Sequence, residues 1–193
     1  YIKKDYAEIN FTLIDDIHII FNHKKWMVNK VITGNTVRGQ EGRPFIIAFF
    51  TRKTNRKDKI CFINLHGPHK WDDKERRIKG HGNKKQWYGD LFTTIFKKTK
   101  VNLKGYKIII TGDHNLDITP GYDIYNYKRI RMKNYNQSEK TCCYYDKNHN
   151  IFKGKVTSKF DHVLTNFGKV RTKILDKKRG LSDHLPIISK IVY

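Results

Sequence analysis

The stretch KIIITGDHNLD, residues 107–117, decides how the rest of the chain is interpreted. Its β-branched run Ile108, Ile109, Ile110 predicts a strand covered on both faces. Gly112 permits a sharp exit from the sheet. Asp113 and Asn115 then offer oxygen ligands to a hard cation such as Mg²⁺, and an amide donor to a phosphate oxygen. A Gly-Asp-X-Asn sequence also builds ordinary turns, so a purely structural role stays open.

The charge of the chain is strongly unbalanced. The 193 residues carry 40 Lys and Arg against 18 Asp and Glu, a formal net charge of +22. Solubility alone does not require this excess, so we expect a polyanionic partner. Nucleic acid, in particular double-stranded DNA, is favoured over an anionic membrane surface. The length suits one domain with a substantial core, so we expect a single domain over residues 1–193.

The sequence shows neither a membrane span nor a disulfide framework. No apolar run approaches the ~18 to 20 residues that cross a bilayer, and no secretory apolar segment opens the chain. Of the three cysteines, Cys142 and Cys143 are adjacent, and the set has no metal-site spacing. We therefore expect reduced thiols and an intracellular, reducing location.

Apolar runs predict strands along most of the chain. The expected strands span residues 6–11, 17–21, 26–32, 45–50, 60–65, 106–111, 156–164 and 186–192. The first three are typical of a meander, and the basic stretch 52–59 is expected to be the tip of an antiparallel hairpin. Residues 67–85 form a polar loop, and apolar residues at helical spacing over 87–96 predict a helix that leads to the 107–117 stretch.

Four polar clusters occur at predicted strands: Asn64-Leu65-His66, Gly112-Asp113-His114-Asn115, Phe160-Asp161-His162-Val163 and Ser182-Asp183-His184-Leu185-Pro186. Their order resembles the motifs N-x-H, G-D-x-N, a late strand Asp and S-D-H-x-P of the endonuclease/exonuclease/phosphatase superfamily of metal-dependent phosphodiesterases and phosphatases. The resemblance covers residues 43–193. It implies a four-layer α/β sandwich, with two mixed β-sheets packed face to face and helices outside. It also implies Mg²⁺ as cofactor, with Mn²⁺ as the alternative.

The resemblance assigns roles to the first two clusters. Asp113 would orient or activate the attacking water and help to bind the metal, while Asn115 would hold a phosphate oxygen. His66 would donate to the scissile phosphate or to the leaving oxygen. Asn64 would support the site rather than take part in the chemistry.

The two later clusters would supply the phosphate-facing imidazole and a metal ligand. His184 would face the phosphate, with Asp161 as the carboxylate that fixes its tautomer and stabilises the charged ring. Asp183 would be a metal ligand. The remaining histidines of these segments, His114 and His162, are expected to be ordinary surface residues, as are His69 and His81.

The chain departs from the superfamily pattern at its beginning. Members carry an Asn on the first strand and a metal-binding Glu in a Gln-Glu pair upstream of the other motifs. Gln40-Glu41 has these letters, but it lies in a Gly-rich loop just before the strand at 45–50, so we expect Glu41 to be solvated. The expectation is therefore that the chain lacks an N-terminal segment, or that a partner chain completes the sheet, and that residues 1–193 alone are unstable.

Two classes of function remain open. The first is a Mg²⁺-dependent nuclease or DNA-repair endonuclease, located in the nucleus or, for a virus, in the virion or viral factory. Basic side chains in the hairpin tip and the long loop would contact phosphates: Arg52, Lys53, Arg56, Lys57, Lys70, Arg76, Arg77, Lys84 and Lys85. The same fold also hosts enzymes acting on phosphoinositides or RNA. The second class is a nucleic-acid-binding or packaging protein that keeps the fold without activity.

Overall fold

The structure is a computed structural model. It describes residues 4–11, 17–35, 43–67, 100, 102–115, 126–127, 130–134, 140–142, 158–175 and 184–192. The predicted helix at 87–96 and most of the loop at 67–85 lie outside these residues. Within the described part of the chain, no helix has the length and apolar character needed to traverse a bilayer.

The described residues form twelve strands. They are β1 (Tyr6–Phe11), β2 (Ile17–Asn22), β3 (Trp26–Asn35), β4 (Pro44–Arg52), β5 (Asn55–His66), β6 (Lys107–Asp113), β7 (Asn126–Tyr127), β8 (Ile130–Arg131), β9 (Lys133–Asn134), β10 (Asp161–Thr165), β11 (Lys169–Ile174) and β12 (Ile187–Val192).

Six of these strands form a mixed sheet in the order β3-β4-β5-β6-β10-β9. Strands β5 and β6 run parallel, and the other neighbours are antiparallel. Strand β4 is buried from Pro44 to Thr51, which explains its continuous apolar sequence, because both of its faces are covered.

Two hairpins, β1–β2 and β11–β12, pack on the same face of this sheet. Ile19 of β2 joins Ile46, Ala48 and Phe50 of β4 in one apolar cluster. Val170 of β11 joins Ile109 and Val163 in a second cluster. Ile60 and Phe62 of β5 contact both clusters, so the hairpins lie over neighbouring parts of a common inner face.

The opposite face of the six-stranded sheet is buried as well. Its fully buried strand residues include Ile47, Ile63, Leu65, Ile108, Ile110 and Leu164. The described strands thus form packed β-layers that fit the predicted α/β sandwich, whereas the helices expected outside these layers are not among the described residues. The six-stranded layer is mixed, whereas the described strands facing it form two antiparallel pairs.

Three expectations about secondary structure need correction. The basic stretch 52–59 is mostly strand rather than hairpin tip, because only Lys53 and Thr54 form the turn. Its charged residues resemble a loop in composition because this end of β5 is largely exposed. Strand β3 pairs with β4 instead of continuing the β1–β2 meander. Strand β11 was not predicted, although its alternating burial matches its alternating sequence.

Among the described residues, the cysteine of β5 has a defined thiol state. Cys61 is a free and fully buried thiol, and burial raises its pKa well above the usual range.

Candidate active site

The predicted clusters meet at one end of the inner face because of the strand register. His66 on β5 lies beside Asp113 on β6, and Asp113 lies beside Asp161 on β10. Side chains alternate between the two faces of a sheet, so these three project on the side that carries Phe62 and Ile109 further along the strands. The site therefore lies at the edge of the packed β-layers.

Asp113, Asp161 and His184 form the centre of the site. His184 Nδ1 donates a hydrogen bond to Asp161 Oδ2 at 2.7 Å, which directs Nε2 away from Asp161. That Nε2 atom lies 3.6 Å from Asp113 Oδ2. One ligand atom from each of the three residues lies within 4.8 Å of the others, a spacing that could hold a metal ion.

The Asp113 carboxyl has an unusual protonation equilibrium. Burial raises its pKa from 3.8 to about 6, against the lowering effects of the Asn115 N–H and of the charges on His184 and Arg43, while Asp161 raises it further. A mostly buried carboxylate with a raised pKa gains stability when a cation approaches. The donor set therefore fits a divalent metal with oxygen preference.

A second histidine and an arginine approach Asp113 from the side of β5. His66 Nε2 lies 3.5 Å from Asp113 Oδ2, and Arg43 Nη1 lies 3.3 Å from His66 Nδ1 and also contacts Nε2. Sequence analysis did not assign a role to Arg43. The sequence feature that could have indicated this role is the position of Arg43 directly before β4. The antiparallel pair Phe45–Leu65 brings that position close to the end of β5.

Asn115 stabilises the turn that follows β6. It has a φ of 49°, and its backbone N–H donates to Asp113 Oδ1 at 2.7 Å. Its side-chain Nδ2 donates to the Gly67 carbonyl at 2.9 Å, in a buried position. The side-chain amide of Asn115 thus links the segment after β6 to the segment after β5.

Gly112 permits the close approach of β5 and β6 at the site. Its φ is +126°, and an added Cβ would lie 1.9 Å from the Leu65 carbonyl oxygen and 3.0 Å from Asn64 Oδ1. Asn64 itself donates through Nδ2 to the His18 carbonyl at 2.9 Å, which ties β2 to the sheet beside the site. These are the contacts of a supporting residue.

Several solved structures share this architecture. An endonuclease/exonuclease/phosphatase family protein from Bacteroides thetaiotaomicron matches 95% of the chain and 73% of its own, at 16% identity and a TM-score of 0.60. A mannosyl-6-phosphatase from the same organism matches 98% of the chain and 78% of its own, at 19% identity and a TM-score of 0.66. D. rerio TDP2, complexed with single strand DNA product, matches 95% and 75%, at 16% identity and a TM-score of 0.59.

The chain has the endonuclease/exonuclease/phosphatase fold. No protein-family model matches it. Among curated proteins, the uncharacterized protein L684 of Acanthamoeba polyphaga mimivirus is 29% identical over 160 residues. That match covers 77% of the chain but spans only 28% of the length of the viral protein.

The structure places some of the residues from the four predicted clusters at the site, and others lie outside the described residues. The structure brings together His66, Asp113, Asp161 and His184. Asn115 lies beside them. Asp183 and Glu41 are outside the described residues, so their assignments stay predictions.

Two of the histidines expected at the surface are buried, which corrects that expectation. His114 and His162 are 0 % and 1 % exposed, and their rings meet edge to face at 5.3 Å. Each follows a site carboxylate by one position, so each points to the opposite, covered face of the sheet. Burial lowers the pKa of His114, and the charge of His162 lowers it further.

The predicted phosphate contacts separate into two groups. Arg52, Lys53, Arg56 and Lys57 are exposed at the β4–β5 turn, at the opposite end of β5 from His66. Arg56 and His66 are ten positions apart, which corresponds to roughly 30 Å along an extended strand. The other predicted contacts, Lys70, Arg76, Arg77, Lys84 and Lys85, lie outside the described residues.

Beside Asp161 and His184, a cavity of about 510 Å³ opens between the six-stranded sheet and the β12 segment. Its lining is largely apolar and includes Phe62, Ile109 and Val163 from the sheet, with Pro186 and Ile191 from the other side. The central residues of the site therefore lie at the boundary between an apolar interior and solvent.

Proposed function

We propose that the chain is a divalent-metal-dependent phosphodiesterase that hydrolyses nucleic acid by in-line attack of water. The observation that carries this proposal is the arrangement of the Asp161–His184 hydrogen bond at 2.7 Å with His184 Nε2 turned toward Asp113 at 3.6 Å. It is supported by the order of the sequence motifs and by the shared fold.

Asp113 is the group that we assign to the attacking water. A general base works best when its pKa lies near the working pH, and the pKa of Asp113 is raised by burial to about 6. In the metal-free protein the carboxylate is then mostly ionised near neutral pH, so it can orient a water molecule by accepting a hydrogen bond from it.

His184 and the His66–Arg43 pair are the groups that we assign to the phosphate. With Asp161 accepting from Nδ1, His184 presents Nε2 toward the space beside Asp113, where an N–H can donate to a phosphate oxygen. The Arg43 guanidinium adds positive charge on the β5 side. Such preorganised donors stabilise charge that develops on the phosphate or on the leaving oxygen.

A divalent ion, once bound, supplies Lewis-acid stabilisation of the phosphoryl charge. Asp113 is the described carboxylate that we assign to it, with Asp161 and His184 within reach of the same position. Asp183 is assigned as a further ligand from sequence alone. Mg²⁺ fits a site rich in carboxylate oxygen, and Mn²⁺ is accepted by similar ligands.

Charge favours nucleic acid as the substrate. The net charge of +22 implies a polyanionic partner that binds in a strongly salt-dependent manner. The exposed basic residues Arg52–Lys57, at and beside the β4–β5 turn, lie roughly 30 Å from the site along β5. A duplex that contacts both these residues and the site would extend over about nine base pairs. D. rerio TDP2, which shares the fold, forms a complex with a single strand DNA product, and this supports the same substrate class.

The test is a substrate panel in Mg²⁺, in Mn²⁺ and in EDTA. Supercoiled plasmid, duplex and single-stranded oligonucleotides, RNA, a phosphoinositide and bis-(p-nitrophenyl) phosphate are compared for wild type and Asp113→Asn. Metal-dependent cleavage of a nucleic acid that is lost in Asp113→Asn is expected. The matched control is Asp5→Asn, which removes an exposed carboxylate paired with Lys24.

The alternative of a binding protein without activity has its own outcome in this panel. Retained, salt-sensitive DNA binding with no hydrolysis of any ester under any metal condition would favour it and would contradict the proposal.

A further inference from the structure

A residue outside the predicted motifs joins the two segments that carry Asp161 and His184. Thr141 is fully buried, and its hydroxyl Oγ1 accepts the Asp161 N–H at 3.2 Å. Its carbonyl accepts the N–H of Leu185, the residue immediately after His184, at 2.8 Å. Thr141 is thus bonded to the backbone of Asp161 and to the backbone of the residue that follows His184.

Thr141 is itself held in place. Its N–H donates to the Ser158 carbonyl at 2.9 Å, and Ser158 forms an antiparallel bridge with Cys142. Ser158 lies three positions before Asp161, so the segment that fixes Thr141 leads directly into β10. The position of Thr141 is therefore defined relative to Asp161 from two directions.

Backbone bonds to two different elements hold the His184 segment. His184 precedes β12, and β12 pairs with β11 in a separate sheet from β10. The backbone bonds described for this segment include Leu185 N–H to the Thr141 carbonyl and Leu175 N–H to the Pro186 carbonyl. The first connects the segment to the β10 side of the site, and the second connects it to the end of β11.

We propose that Thr141 is a positioning residue that sets the distance and direction between Asp161 and His184. A displacement of about 1 Å at a catalytic pair can cost on the order of a hundredfold in rate. Where it concerns turnover, this inference rests on the proposed function. Where it concerns the geometry of the pair, it does not.

The kinetic test uses Thr141→Val, which keeps the shape and removes the hydroxyl acceptor, and Thr141→Ser, which keeps the acceptor. Thr141→Val is expected to lower kcat by about tenfold, the lower end for residues that orient site ligands, with KM little changed. Thr141→Ser should retain most of the rate. The matched control is Thr172→Val, which removes a hydroxyl that contacts Ser189 between β11 and β12.

A second readout needs no turnover. In NMR spectra of the metal-free protein, Thr141→Val should speed hydrogen exchange of the Asp161 amide by about tenfold, the size expected for loss of one hydrogen bond. It should also weaken the downfield Nδ1–H signal of His184, while Thr141→Ser and Thr172→Val leave both unchanged. If Thr141→Val does not fold, Thr141→Ala removes the same hydroxyl and makes the same test.

The outcomes separate the two proposals. If wild type does not cleave, but the Asp161 amide and His184 imidazole signals change as expected in Thr141→Val, the proposed function is rejected and the positioning role is kept. Unchanged signals in Thr141→Val, wild-type kcat in that variant, or an equal loss of kcat in Thr141→Ser would overturn the role of Thr141.

Discussion

Replacing Asp113 by Asn should stabilise the metal-free protein at neutral and alkaline pH while removing activity. Burial raises the pKa of the carboxyl from 3.8 to about 6, so ionising it in the folded state is unfavourable. The shift of about two units, at about 1.4 kcal/mol per unit, corresponds to about 3 kcal/mol of folding free energy. Asn carries no charge, and its Oδ1 can still accept the Asn115 N–H that now reaches Asp113.

The pH dependence of this effect has a definite sign. The unfolded carboxyl loses its proton near pH 3.8, whereas the folded one keeps it to about pH 6. The unfavourable contribution is therefore absent below about pH 4, grows between pH 4 and 6, and is complete above about pH 7. The stability difference between Asp113→Asn and wild type should follow that course.

The assay is thermal and urea unfolding in EDTA from pH 4 to 8, followed by circular dichroism. About 3 kcal/mol corresponds to a rise of roughly 6 to 12 °C in Tm for a chain of this size. Mg²⁺ should narrow the difference, because it binds the folded wild type. Asp5→Asn, an exposed carboxylate, should show no comparable gain. A destabilised Asp113→Asn at pH 8, or a difference independent of pH, would refute the reasoning.

The other predictions concern the site and the basic residues near the β4–β5 turn. Asp161→Asn should reduce kcat less than loss of His184, because Asp161 acts through the imidazole; equal losses would argue that Asp161 touches the phosphate or the metal itself. The double change Lys53→Ser with Arg56→Ser should weaken binding of a 30-base-pair duplex and its salt dependence, but leave hydrolysis of bis-(p-nitrophenyl) phosphate unchanged; a lower rate on the small ester would contradict the separation of turn and site.

The sequence predicted the elements in which local pattern and burial agree. Strands β4 and β6 are covered on both faces, so their apolar runs were unambiguous. The clusters around Asp113 and Asp161 were placed in one site by their resemblance to the motifs of the superfamily, because local pattern alone does not tell which strand ends meet. The exposed half of β5 was interpreted as a turn because a charged, solvated strand has the composition of a loop.

What the sequence could not provide are contacts that depend on distant segments. Arg43 reaches His66 only through the antiparallel pairing of β4 and β5, and Thr141 reaches Asp161 from a segment with no motif. His114 and His162 were expected at the surface because nothing local indicates that the outer face of the sheet is covered there. These residues are positioned by register and packing, which a local pattern does not encode.

The measurement that tests the account most directly is single-turnover cleavage of a duplex in Mg²⁺ by wild type, His184→Ala and His23→Ala. His23 is the matched control, because its ring contacts the Lys4 carbonyl near the β2–β3 turn, far from the described site. We expect cleavage by wild type and His23→Ala, its loss in His184→Ala and in EDTA, and salt-sensitive duplex binding that is retained in all three proteins. Cleavage by His184→Ala at the wild-type rate would contradict the assignment of Asp113, Asp161 and His184 as the active site.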